Sequence, residues 1–142
     1  MLVKEYQTGK IYQGKLEKGD DLIKSLTEFA KKNDIKAAKV TAIGAVQEAV
    51  ISFYDQDKRE YFAKEFPQNL EIIHCGGNIS LKDGQPIVHA HIALGDEAGK
   101  MYGGHLEDGT KVFACEFVIE VLKGESLKRG YDEATGLPLW QK

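Results

Sequence analysis

Three of the chain's four histidines fall in one stretch, HAHIALGDEAGKMYGGHL, which runs from His89 to Leu106. His89 and His91 are separated by a single residue, and His105 follows a pair of glycines. Neutral imidazoles ligate Zn²⁺ at about 2.0–2.1 Å, and three of them leave a fourth position open to water or substrate. They also accept Ni²⁺, Cu²⁺ and Fe²⁺, so residue type alone does not select the metal.

Whether the three rings can meet depends on the element that carries them. Residues two apart in a strand share a face. His89 and His91 would then project together, roughly 6.6 Å apart along the strand. Val88, Ala90, Ile92 and Leu94 take the opposite face and read as core. GDEAG predicts a turn and KMYGGHL the returning strand of a hairpin. A loop centred on Glu97 opposes His105 to His89, and one centred on Ala98 opposes it to His91. Either register brings the imidazoles to one face. A centre between residues turns His105 away unless a bulge at Gly103–Gly104 restores the parity. The spacing fits a metal site, and it also fits a polar pocket without metal.

Two further polar residues could share that face. His74 points away from the alternating set Ile73, Cys75, Gly77 and Ile79, together with Asn78, and reads as a surface or interface residue. Glu116 in KVFACEFVIEVL points away from Phe113, Cys115, Phe117, Ile119 and Val121. It is a candidate general base, or a partner for the second nitrogen of a ligating imidazole. It reads equally well as a partly buried carboxylate with no role in chemistry. Cys75 and Cys115 form no CxxC pair and read as reduced core thiols. The chain has no GxxxxGK[ST] phosphate loop, no dinucleotide fingerprint and no GxSxG nucleophile turn.

The elements that would position these residues are mostly strands. KGDDLIKSLTEFAKKNDI is the exception: Leu22, Ile23, Leu26, Phe29 and Ala30 form one helical face. Asp20 or Asp21 can cap its start, and Asn33 can stop it. The segment from Ala37 to Tyr54 predicts one long strand, apolar on both alternating sets, with a bend or bulge at Gly44. Its second apolar face suggests cover by another layer or by a neighbouring subunit. EYFAKEF predicts a shorter strand. LEIIHCGGNISLKDGQP predicts two strand pieces separated by an irregularity at Gly76–Gly77, then a turn at Asp83–Gly84. The tail RGYDEATGLPLWQK carries Leu137, Leu139 and the chain's one tryptophan, and is expected to dock on the body or on another subunit. The whole predicts one α+β domain over residues 1–142, mainly antiparallel sheet with the N-terminal helix packed on it.

Composition narrows the function classes. The formal net charge of −3 argues against a surface that binds nucleic acid all round, and no dense basic run is present. No apolar run approaches the ~18 residues of a membrane span. The first residues, MLVKEYQTGK, place charge where a secretory leader needs its apolar core, so a cytoplasmic protein is expected.

GGNISLKDGQPIVHAHIALGD and GGHL, followed by an alternating strand with a central Glu, resemble the PPC domain (plants and prokaryotes conserved domain) family. TAIGAV after the helix, LEII before GNIS, and the closing KRGYDEATGLPLW resemble it too. The likeness covers about Lys10 to Trp140. It implies an α+β fold on an antiparallel sheet, assembled as a homotrimer. It also implies that His89, His91 and His105 match a zinc-binding set of the prokaryotic members. Plant relatives join this domain to AT-hooks that grip DNA. This chain has no AT-hook, so the resemblance lends DNA binding only weak support. Two functions follow as expectations. One is a trimeric binding or regulatory domain with metal, or a small ligand, at the histidines. The other is a zinc metalloenzyme acting on a small polar molecule, with water activated by the metal and Glu116 moving protons.

Overall fold

The computed structural model describes residues 1–141. The elements run β1 (Gln7–Leu16), α1 (Leu22–Lys32), β2 (Ala38–Asp55), β3 (Glu60–Phe66), β4 (Leu70–Lys82), β5 (Gln85–Gly95), β6 (Met101–Leu106), β7 (Lys111–Lys123), β8 (Lys128–Asp132) and β9 (Leu137–Trp140). The expected α+β architecture is present, with one helix on a mostly antiparallel sheet.

The long strand β2 organises the sheet. Its first half pairs with β4 and β7, and its second half with β3 and β6. Because β4, β5 and β6 also pair in succession, the pairings β2–β6–β5–β4 close into a ring. The interior is filled from every strand of that ring, with Val40, Val46, Cys75, Ala90, Leu94 and Leu106 each at 2% exposure or less. Full burial of each Leu or Val contributes about 1.5–3 kcal/mol.

The helix forms where the apolar period placed it. Asp21 caps it: Oδ1 accepts the Lys24 backbone N–H, while Oδ2 accepts the Gly109 N–H at 2.8 Å. One buried carboxylate therefore ties the helix start to the β6–β7 turn. Leu22, Leu26 and Ala30 are fully buried. Phe29 sits edge-on between Tyr12 and Phe117, at centroid distances of 5.2 and 5.8 Å. Asn33 ends the helix, its side-chain amide donating to the Phe29 carbonyl.

Among several register shifts, two bulges move large apolar side chains. In the β4–β5 pairing Ile72 faces Leu94 and His74 faces Ala93, so Ile73 is an extra residue. In the β2–β7 pairing Ala45 faces Ala114 and Val46 faces Val112, so Phe113 is extra. Each bulge shifts the parity by one. Ile73 and Phe113 are thereby turned outward, at 52% and 54% exposure, instead of joining the inward sets expected from the sequence. The irregularity in β4 lies at Ile73 and not at Gly76–Gly77, where the strand runs on unbroken. Gly77 instead allows close approach: a Cβ there would lie 2.2 Å from the His89 carbonyl oxygen.

Gly44 does mark a break in the β2–β4 register. Its φ is +141°, and an added Cβ would lie 2.1 Å from the Ala114 carbonyl oxygen. Both conflicts are with backbone, which cannot rotate aside. Gly44→Ala is expected to destabilise the fold by about 2–3 kcal/mol or more. Urea unfolding checks this, and an unchanged midpoint would show that β2 tolerates a side chain at its bend.

Candidate metal centre

Strand β5 carries Val88, Ala90, Ile92 and Leu94 inward, each at 6% exposure or less. His89 and His91 therefore face the other way. The β5–β6 hairpin is centred on Ala98, because His91 pairs with His105, Ala93 with Gly103 and Gly95 with Met101. This is the second of the two predicted registers, and no bulge at Gly103–Gly104 is needed. Asp96 holds the turn: its Oδ1 accepts the Ala98 and Lys100 N–H groups, and its Oδ2 accepts the Tyr102 hydroxyl. These bonds, the Lys100 N–H first, hold the Asp96 carboxyl below its ordinary pKa.

The three rings converge. Centroid separations are 5.4 Å for His89–His91, 4.9 Å for His89–His105 and 5.4 Å for His91–His105. One ring nitrogen from each lies within 4.8 Å of the other two. Tetrahedral zinc would draw such nitrogens to roughly 3.3 Å apart, which small side-chain rotations supply. No fourth His, Cys, Asp or Glu joins the group among the described residues. The donor set is chemically suited to a metal, because each imidazole offers a ring nitrogen and burial disfavours the charged form of His89 and His105. Burial, aided by the Arg129 charge, lowers the His89 pKa to about 4. Burial also lowers that of His105, against an opposing pull from Glu107.

The cluster forms one wall of a cavity of about 760 Å³. Tyr61 on β3 packs against His105 at 5.4 Å between centroids, with Tyr54 behind it at 4.9 Å. Glu107 lines the cavity too, its Oε1 accepting the Ser52 hydroxyl at 2.5 Å. The remaining wall comes from the C-terminal hairpin, β8 with β9, which docks through a parallel pairing of β8 with β4. Leu137, Pro138 and Leu139 close that side.

The hairpin also delivers Arg129, a residue not anticipated from the sequence. Its Nε donates to Ser80 Oγ at 2.9 Å and its Nη1 to the Pro138 carbonyl at 3.2 Å. Its Nη2 donates to Asn78 Oδ1 at 3.0 Å and meets His89 Nδ1 at 3.2 Å. A guanidinium cannot accept a hydrogen bond, so Nδ1 is the acceptor and the His89 proton sits on Nε2. Trp140 stacks on the guanidinium at 5.4 Å. Burial shifts the Arg129 pKa down, but it remains a cation. The signals available in the sequence were the turn DEATG and its apolar flank LPLW. They marked a hairpin without saying which strand would receive it.

The other candidates lie elsewhere. Glu116 is exposed on β7, paired with Ile43 and Lys15, and borders a separate groove with Gln13 and Thr41. The expectation that it stands beside the histidines is corrected for the single chain: β2 lies between β7 and β6 in the strand order. His74 is exposed, outside the cluster, with its ring over Gly76. Cys75 and Cys115 are buried free thiols, pushed by burial to pKa values of about 12 and about 11. They are inert under ordinary conditions.

The sequence profile of the Plants and Prokaryotes Conserved (PCC) domain matches residues 3–123. The chain belongs to this family. Among solved PCC-type structures, the metal-containing protein AF0104 from Archaeoglobus fulgidus is 46% identical, with a TM-score of 0.96 and complete coverage of both chains. A plant- and prokaryote-conserved protein from Pyrococcus horikoshii is 35% identical, with a TM-score of 0.94 over 100% of this chain and 98% of that one. A Bacteroides thetaiotaomicron protein, provisionally named as DNA-binding, is 29% identical with a TM-score of 0.86 over 96% of each chain. The bifunctional protein GlmU of Synechococcus sp. (strain JA-3-3Ab) is 32% identical over 132 residues, 89% of this chain. The chain spans about a fifth (20%) of the length of that relative. The PCC profile ends at Lys123, so the hairpin that brings Arg129 lies beyond it.

The lowered His89 pKa has a signed consequence for metal-free protein. Between its ordinary 6.5 and about 4, the unfolded chain takes up a proton that the folded chain refuses. Stability should be full above about pH 6.5, fall as the pH drops through that window, and level off below about 4. The lowered His105 pKa acts in the same direction. An NMR titration should place the His89 ring near 4, and a midpoint at its ordinary value would contradict the buried setting.

Proposed function

We propose that this PCC-domain protein is a homotrimer whose His89, His91 and His105 hold one divalent metal, zinc by preference, facing a cavity that binds a small polar ligand. One observation carries the reading: three imidazole nitrogens lie within 4.8 Å of one another on a cavity wall, with no fourth His, Cys, Asp or Glu in the group among the described residues. All-nitrogen donors suit zinc and disfavour Mg²⁺ or Ca²⁺, which take oxygen. The Archaeoglobus neighbour's description as metal-containing agrees with it. A bound metal supplies Lewis acidity toward a ligand oxygen or nitrogen. The chain does the rest. Tyr61 packs on His105, the β8–β9 hairpin walls one side of the cavity, and Arg129 adds positive charge.

Trimerisation draws support from the outer sheet face. Ile43, Ile73, Met101 and Phe113 are each more than half exposed. Apolar surface of that kind ordinarily marks an interface. The resemblance noted from the sequence supplies the number three.

Catalysis is the second reading, favoured by the absence of a fourth ligand. In it Glu107, which lines the cavity, takes the proton-moving role first given to Glu116, and the reaction is hydrolysis or addition–elimination on a small polar molecule. Binding is preferred because Glu107 already accepts the Ser52 hydroxyl. The chain's net charge of −3 and lack of an AT-hook leave DNA binding resting on the names of neighbours.

Metal analysis of purified protein should find about one zinc per chain, lost in His91→Ala and kept in His74→Ala. Full occupancy in His91→Ala would remove the metal reading. Analytical ultracentrifugation should give about three times the 15.8 kDa chain mass. A monomer at micromolar concentration would refute the trimer and leave the metal centre standing.

A further inference from the structure

Arg129 is the one guanidinium in the cavity, and it makes no ion pair among the described residues. Its hydrogen bonds go to neutral acceptors: Ser80 Oγ, Asn78 Oδ1, the Pro138 carbonyl and His89 Nδ1. The last of these is incompatible with a metal-bound His89. If Nδ1 binds the metal, its lone pair is taken. If Nε2 binds the metal, the ring proton must move to Nδ1, which then donates. Either way the Nη2–H of Arg129 loses its acceptor inside a partly buried site, where an unmade hydrogen bond is unfavourable.

Charge leads to the same requirement. A divalent ion beside Arg129, with Lys82 at the cavity edge, is opposed within the cavity only by Glu107. Cations this close repel unless an anion lies between them. Beyond Arg129 the cavity lining includes apolar residues, Leu137 and Leu139 from the hairpin and Ile87 from β5.

We propose that the cavity takes a small organic anion, its oxyanion head on Arg129 beside the metal and its hydrocarbon part against Leu137, Leu139 and Ile87. The anion supplies the acceptor that Arg129 loses when His89 turns to the metal. Metal and anion therefore bind cooperatively, each raising the affinity of the other by the same factor. The anion's seat comes from the hairpin beyond the PCC profile, so the hairpin sets the ligand class. The inference rests on the metal reading above. A carboxylate and a phosphate share the required chemistry, and separate arms of one experiment distinguish them.

Zn²⁺ affinity is measured on the full chain by competition with a chromogenic chelator. The buffers are plain, with acetate, with butyrate, or with inorganic phosphate. Trp140, stacked on Arg129, reports anion arrival by its fluorescence. At least one head group should tighten Zn²⁺ binding about tenfold and change Trp140 emission saturably. An effect confined to acetate and butyrate assigns a carboxylate, and one confined to phosphate assigns a phosphate. Butyrate should bind several-fold tighter than acetate, and equal affinities would overturn the apolar seat. Arg129→Gln should abolish the coupling and raise Zn²⁺ affinity in plain buffer, because the charge and the lost hydrogen bond that oppose the metal are both gone. Arg129→Lys, which keeps the charge but loses the fork, should retain only part of it and serves where the Gln variant does not fold. Zn²⁺ binding that ignores every anion, or coupling undiminished in the Arg129 variants, overturns this proposal alone. Failure to bind Zn²⁺ in any buffer overturns the metal reading with it.

Discussion

Val88, Ala90, Ile92 and Leu94 on β5 are pressed into the interior at 6% exposure or less, and much of the molecule depends on their staying there. A strand's side chains alternate without exception while its pairing is regular, so this burial leaves His89 and His91 only the opposite face. A slip of one residue would expose four apolar side chains and bury two imidazoles. The register is locked from both sides. Gly77 lets β4 approach the His89 carbonyl closely, and the Asp96-held turn centres the hairpin with β6 on Ala98. The histidine cluster is thus a by-product of core packing, positioned by residues that touch neither ligand nor metal.

The closure of the sheet adds the second half of the site. Because β2 pairs with β4 in its first half and β6 in its second, the β4–β5–β6 segment curves instead of lying flat. Tyr61 on β3 then comes within reach of His105 on β6, although the two strands do not pair. Gly44 permits the break in β2 that makes this possible. The bulges at Ile73 and Phe113 work with it: each turns a large apolar side chain outward, so the mechanism that shapes the barrel also builds the apolar outer face.

The site is more positive and more enclosed than three histidines suggest. Arg129 gathers Ser80, Asn78 and His89 under one guanidinium, and Trp140 covers it. Neutral acceptors hold the group in place without neutralising it. A cation anchored in this way keeps its field available to the cavity, whereas a salt-bridged arginine would not.

From the sequence alone, the helix, the long β2, the β5 parity and the two permitted hairpin registers were all legible, because each is set by contacts within a few residues. Periodicity separated Val88 from His89, and the pair Asp20–Asp21 marked the helix start. The choice of Ala98 as hairpin centre was not legible, since both registers satisfy the same pattern. Nor were the bulges: Ile73 and Phe113 are apolar residues at positions that simple alternation assigns to the core, and only pairing with β5 and β2 shows each to be extra. Glu116 and Arg129 mark the sharpest division. Both are polar residues in strand-like segments, far in sequence from His89. Strand order put one in a different groove and brought the other into hydrogen-bonding contact with the histidine. Strand order is decided by which apolar faces bury best against one another across the whole chain, and no local pattern of residues contains that information.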